Sequence, residues 1–400
     1  MKNQGNTAAV VLFLVTLIAC GFWSSPALCK GACIEEAAPG IGAVPASMEP
    51  GYKRAFCKYT KVVAPNGNPI HIFAQDKITD LQMLRAKGVL EHYLTDCPGS
   101  LYGEDKSAVA NRMADNGAAL LLLNGSDDRW FPVRVEGQPL YQDEIQVEGG
   151  EWYMNQDYEH HRDATFEEIL HLVHDFGIGV DGPHSLPGAL PGLQARIRVA
   201  QQHALANGLM GDLPEEVVDE WTRENSLSQE YLAAVVDSWY GLWGAWPWND
   251  RGMYGQYCAK DRNGLRQNDP MGAAMMDNTF FHPYLTYNAR IDPGFEGTFS
   301  LRFDPELPYT HHARYLKDVT LTGDRSSNVR VNGYNNDITG NSGKNTVLFS
   351  GNYAEYTIRL RSGFSIRVED GVSNRDGINT LRDIEVLTFQ DRVLVLGSET

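Results

Sequence analysis

The sequence predicts an α+β protein: a mostly helical body followed by a small all-β C-terminal domain. Three observations predict it. Apolar residues recur at helical spacing in several segments between residues 78 and 240. From Asp318 onward, short β-type runs alternate with Gly, Asn and Asp. Ahead of both, the apolar run Ala8–Ala19 behind Lys2 has the length and flanks of an export signal rather than of folded structure.

The composition agrees. Of 400 residues, 42% are hydrophobic and 21% charged, which is globular rather than disordered. The formal net charge of −17 argues against nucleic acid or an anionic membrane as partner and is compatible with divalent cations.

Small residues at Ser25-Pro-Ala27 and Ala27-Leu-Cys29 suit signal cleavage, so 1–29 is read as a signal peptide and the protein as secreted. Leu17-Ile-Ala-Cys20 offers the alternative of a bacterial lipoprotein anchored at Cys20. No later stretch reaches the ~18 apolar residues of a membrane span, so the protein is expected to be soluble or lipid-anchored. Export favours disulfides among Cys33, Cys57, Cys97 and Cys258. The expected pairs are Cys57–Cys97, both in the N-terminal half of the body, and Cys33–Cys258 by elimination.

The body is assigned to 30–316. Residues 34–65 read as loop, and Ile70–Phe73 as a short strand carrying His71. Ile78–Leu94 has a helix pattern, and Ala118–Leu123 is a buried strand or short helix. Residues 124–160 read as loop with hairpins. Asp163–Phe176 is the best helix, with Asp163 as its cap and Gly177 as its stop. Further helices are expected at 192–207, at 214–223, and from the Ser226-Leu-Ser-Gln229 capping box to Tyr240. The Trp239–Trp248 segment is aromatic-rich, and 249–300 reads as short helix and loop. The paired histidines His160-His161 and His311-His312 are expected at the surface, and His184 lies in a loop after the main helix.

The chemistry centres on Glu167-Glu168-Ile-Leu-His171-Leu-Val-His174. On a helix, Glu167, His171 and His174 share a face, because their offsets are four and three. Two ligands one turn apart can hold one metal ion. Glu168, about 100° round the helix, can act as a general base beside it. That is the logic of His-Glu-x-x-His, here with Glu in the first place. A second helix, Glu230-Tyr-Leu-Ala-Ala-Val-Val-Asp-Ser-Trp-Tyr240, offers a further carboxylate. A Glu/His/Glu donor set is harder and more anionic than His/His/Glu.

The two helices together resemble the active-site pair of zincin metallopeptidases of the anthrax lethal factor type. The resemblance implies zinc held by His171 and Glu230, with Glu168 as catalytic base; Glu167 stands where the family has its first histidine, and Glu167 or His174, on the shared helix face, is expected to complete the site. It implies peptide or protein substrates. Tyr231 or Tyr240 would then be candidates for stabilising the oxyanion. No Gly-x-Ser-x-Gly, P-loop or dinucleotide fingerprint competes with this reading.

The tail is assigned to 317–400. Gly333-Tyr-Asn-Asn-Asp337-Ile-Thr-Gly340-Asn-Ser-Gly343-Lys-Asn345 is similar to degenerate RTX-type nonapeptide repeats, without their double glycines. The resemblance implies a short β-solenoid, with calcium at Asp337 and Asn345 as an option. Two functions follow as expectations. One is an exported metal-dependent hydrolase, a zinc peptidase. The other is a non-catalytic secreted binding or adhesion protein on a zincin-like body.

Overall fold

The computed structural model describes residues 37–127, 134–155, 158, 162–182, 185–211, 213–361 and 365–396. The expected signal segment, Cys20, Cys29, Cys33, His160, His161 and His184 lie outside the described residues. The chain is α+β, as the sequence predicts.

A five-stranded sheet forms first, in the order β1 (Gly42–Ala43), β2 (Lys58–Val63), β3 (Pro69–Ala74), β4 (Ala119–Leu123), β5 (Gln138–Tyr141). The first three strands pair antiparallel; β3, β4 and β5 run parallel. The ambiguous Ala-Leu-Leu-Leu-Leu run is therefore strand β4, buried on both faces, which is why it reads as a continuous apolar stretch. Strand β2 falls where loop was expected. Its Lys58-Tyr-Thr-Lys has no clean alternation of polar with apolar, and its antiparallel pairing with β1 and β3 makes it a strand.

The short helix α1 (Pro50–Ala55) precedes β2. The crossover from β3 to β4 carries α2 (Asp80–Leu94) and α3 (Ser107–Asp115). Thr79 closes a reciprocal capping box with Gln82 at the start of α2. After β5 come α4 (Glu151–Asn155), α5 (Thr165–Val173), α6 (Pro191–Ala206), α7 (Glu215–Glu224), α8 (Leu227–Trp239), α9 (Arg262–Asn268) and α10 (Pro270–Met276).

Helix α5 is buried nearly all round; among its residues only Glu168 is partly open. Such a helix belongs to a core, so its polar side chains must find partners there. It packs directly against α8, α2 and β5. Gly177 does not stop it. The chain widens into a π turn over His174–Ile178, and the left-handed Gly179 (φ 96°) ends it. Asp163 does not cap α5 by side chain at the N-cap position, which is Ala164; it accepts from the Thr165 amide and pairs with Arg85. The capping box expected at α8 is not made either: Ser226 is the N-cap residue, but its hydroxyl caps nothing.

The remaining chain builds two sheets. Strands β6 (Leu285–Ile291) and β7 (Gly297–Ser300) come first, followed after α11 (Thr310–Ala313) by β8 (Leu316–Leu321) and β9 (Ser327–Arg330). Then come β10 (Asp337–Thr339), β11 (Thr346–Leu348), β12 (Tyr356–Leu360), β13 (Ile366–Asp370), β14 (Ile378–Arg382), β15 (Val386–Thr388) and β16 (Val393–Val395). One sheet has the order β12-β13-β14-β10-β8-β6, the other β16-β15-β11-β9-β7. Along the chain, β6/β7, β8/β9, β10/β11 and β14/β15 alternate between the sheets, with parallel neighbours within each.

The register aligns Ala289, Val319, Ile338 and Leu381 in one buried row, and Phe299, Val329, Val347 and Leu387 in another. Both rows belong to the core shared with the helices. The sheet pair begins at Leu285, upstream of the 317 boundary, in a region expected to be helix and loop.

Asparagines tie the turns together. Asn332 Nδ2 donates to Leu316 O (2.8 Å), Asn336 Nδ2 to Lys317 O (2.8 Å) and Asn345 Nδ2 to Ser327 O (3.1 Å). Asp337 pairs with Arg382. The two side chains considered for calcium are thus engaged by protein groups.

Cys97 and Cys258 carry free thiols, which overturns both expected pairs. Cys97 is buried, with Sγ 3.7 Å from Phe281 O. Cys57 is disulfide-bonded. His312 is not a surface residue: it is buried and its Nδ1 lies 2.9 Å from Tyr240 O. No helix among the described residues is long and apolar enough to cross a membrane.

Candidate metal centre

Helices α5 and α8 bring Glu167, His171 and Glu230 together in the core. One ligand atom from each lies within 4.8 Å of the others, and all three residues are buried. Ligands around one zinc ion at ~2.0–2.2 Å sit roughly 3–4 Å apart, so small side-chain rotations close the set. Among the described residues this is the one group of three His, Cys, Asp or Glu side chains so arranged.

The imidazole of His171 fits a cation. Its Nε2 is buried and makes no hydrogen bond. Burial lowers its pKa, against the pull of Glu167, so the ring is neutral with a lone pair to give. Burial also pushes the Glu230 carboxyl well above the usual carboxylate range, with Glu167 adding to the effect. Carboxylates crowded into a dry site in this way are short of positive charge, which a divalent ion supplies.

Glu168 occupies the position beside the donors. Its Oε2 lies 3.9 Å from His171 Nδ1 and accepts a 2.7 Å hydrogen bond from Gln138 Nε2 on β5. Burial first, then Glu167 and Glu144, raise its pKa well above normal, and Arg162 opposes them. A carboxyl so placed holds a proton more readily than an ordinary one, as a group that shuttles protons does.

His174 is not brought into this group. Its backbone stays helical, with its amide bonded to Leu170 O, but its side chain meets α6, where Nε2 sits 2.6 Å from Gln194 Oε1. The two tyrosines considered for the oxyanion are also engaged elsewhere. Tyr231 donates to Asp269 Oδ2 (2.8 Å) and Tyr240 to His282 O (2.8 Å).

Four side chains enter the site that the sequence did not single out. Arg162, just ahead of α5, donates to Glu167 and lies 4.0 Å from Glu144 and 3.9 Å from Glu168. Glu144, in the turn after β5, is pushed up to about 7 by burial despite Arg162. Gln138 is described above. Tyr254 is within electrostatic reach of Arg162, Glu167 and Glu144. It holds a left-handed backbone (φ 55°), and so does Met253 (φ 49°), with Gly255 following at φ 90°. Consecutive positive φ values at non-glycine residues are strained and recur at functional sites. None of these four carries a local motif, so only the fold reveals them.

A buried brace holds the start of α5. Arg85 of α2 pairs with Asp163 (2.6 Å) and Glu148 (3.2 Å), and Tyr287 donates to Glu148. Against the cost of burial, Arg85 holds the Glu148 carboxyl down at about 2.

No protein-family model matches the chain, and a comparison with curated proteins finds no match.

Proposed function

We propose that this chain is an exported metal-dependent hydrolase, a zinc peptidase, with a zincin-like body and a β-solenoid-like tail. The observation that carries the reading is the convergence of Glu167, His171 and Glu230 from two helices onto one buried point, with His171 Nε2 unsatisfied. The parallel strand pairs and their asparagine-tied turns support the description of the tail.

A zinc ion bound there would supply a Lewis acid and lower the barrier to activating water. Glu167, His171 and Glu230 would hold it. Glu168, oriented by Gln138, takes a proton from the attacking water and returns it to the leaving amine. Burial on nearly every side limits solvent around these groups and strengthens their interactions.

The test is a peptide-library assay on the full secreted chain, with zinc content measured in parallel. Cleavage that follows zinc content and disappears in Glu168→Gln supports the proposal. Zinc-loaded protein that cleaves nothing rejects it. A second reading, a secreted binding protein with a retired site, is favoured by one observation: Glu167, His171 and Glu230 are all buried, which leaves a peptide little room to reach them.

A further inference from the structure

Glu167 stands where a His-Glu-x-x-His site has a neutral imidazole. That exchange adds one negative charge to the donor set. The structure answers it with a cation: Arg162 is buried, and its Nη1 donates to Glu167 Oε2. The other carboxylates nearby are farther away, with Glu168 at 3.9 Å and Glu144 at 4.0 Å, so Glu167 is its close partner among them. A guanidinium is not deprotonated in proteins, so Arg162 brings a full positive charge to Glu167.

We infer that Arg162 is the charge-compensating partner of Glu167, and that the pair together replaces the missing histidine. A carboxylate has two oxygens, so one can serve the guanidinium while the other faces the ion. The bonded pair is neutral as a unit, as an imidazole is. The hydrogen bond also fixes the carboxylate's direction, as the partners behind a metal-bound histidine fix the ring. Glu167→His alone therefore does not repair the site. It takes away the carboxylate to which Arg162 Nη1 donates and leaves that positive charge beside the place of the cation.

The inference rests on the metal-centre reading above, and the test separates the two. Full-length protein, stripped with chelator, is titrated with Co²⁺, whose visible absorption reports coordination, and then with competing Zn²⁺. The proteins are wild type, Glu167→His, Arg162→Lys and the double variant Glu167→His/Arg162→Met.

Glu167→His is expected to bind at least about tenfold more weakly than wild type, because like charges in a dry site repel strongly. The double variant returns to within about threefold of wild type, and Arg162→Lys, which keeps the charge, stays within about threefold. Glu167→His binding as tightly as wild type, or a folded double variant no better than it, overturns the inference. Should the double variant fail to fold, the single Glu167→His measurement decides alone. Wild type that binds neither Co²⁺ nor Zn²⁺ rejects the metal centre itself, whatever Arg162 does.

Discussion

Gln138 Nε2 donates to Glu168 Oε2 at 2.7 Å, joining the edge strand β5 to the helix that bears the candidate metal donors. The bond leaves Glu168 Oε1 for other work and sets the plane of the carboxylate. Gln138→Ala is therefore expected to lower kcat by roughly tenfold while leaving zinc affinity within about twofold, since Gln138 is not a donor. Steady-state kinetics on a cleaved peptide, with zinc titration alongside, checks this. Equal loss of zinc affinity and turnover would show that Gln138 supports the donors instead.

Removal of the metal should be visible in stability. A ligand that binds only the folded chain stabilises it by about 2.7 kcal/mol at a hundredfold excess over Kd. Chelator-treated protein is expected to melt at lower temperature than zinc-loaded protein. Glu230→Gln should abolish most of that difference, because the amide is a poorer ligand than the carboxylate. An identical melting curve with and without zinc in the wild type would remove the metal from the account.

Arg85 is the test of the brace behind the site. It is buried, pairs with Asp163 and Glu148, and fixes the residues just ahead of α5. Breaking a buried pair by removing one partner leaves uncompensated charge and costs about 3–5 kcal/mol. Arg85→Met should lose that much in urea denaturation. A loss below about 1 kcal/mol would mean that the freed carboxylates protonate or reach water.

The two candidate donors on α5 were legible because they follow from spacing: Glu167 and His171 are one turn apart. Glu230 is singled out only by the resemblance of its helix, and the packing of α8 on α5 brings it to them. His174 has the same helical phase, but its ring is engaged by Gln194 of α6, which no residue pattern announced. Arg162, Glu144 and Gln138 come from a strand and irregular chain, where position is set by packing rather than period. Strands β6 and β7 were missed for a related reason. They are strands by virtue of parallel neighbours β8 and β9, and the Pro and Gly residues around them read as loop.

In the tail, asparagine side chains tie neighbouring turns together. Asn345 donates to Ser327 O and Asn341 Oδ1, and its own Oδ1 accepts from the Asn341 amide. Asn345→Ala strips a buried residue of three hydrogen bonds and should cost about 1–3 kcal/mol. Millimolar calcium is expected to leave the melting temperature of both proteins unchanged. A calcium-dependent rise in wild type that Asn345→Ala abolishes would restore calcium to this turn.

His174 should make the fold acid-sensitive. Gln194 Nε2 donates to Asp181 Oδ1 (2.5 Å) and Ser228 Oγ (3.2 Å), which points Gln194 Oε1 at the ring, so His174 Nε2 must carry the proton. Its Nδ1 is buried and bare. Burial lowers its pKa from 6.5 to about 4. Between those values the unfolded chain takes a proton that the folded chain refuses, so stability is full above pH 6.5 and drains away as pH falls toward 4. By pH 5 the loss from this one residue amounts to about 2 kcal/mol. Asp175, pushed up to about 6 by burial, acts in the opposite direction, and comparing two proteins that both keep it cancels its share. His174→Gln cannot titrate. Although it should be less stable than wild type at pH 7, its further loss between pH 7 and pH 5 is expected to be smaller by about 1–2 kcal/mol. Urea unfolding of both proteins at the two pH values measures this difference, and parallel losses would show that His174 is not the group that acid attacks.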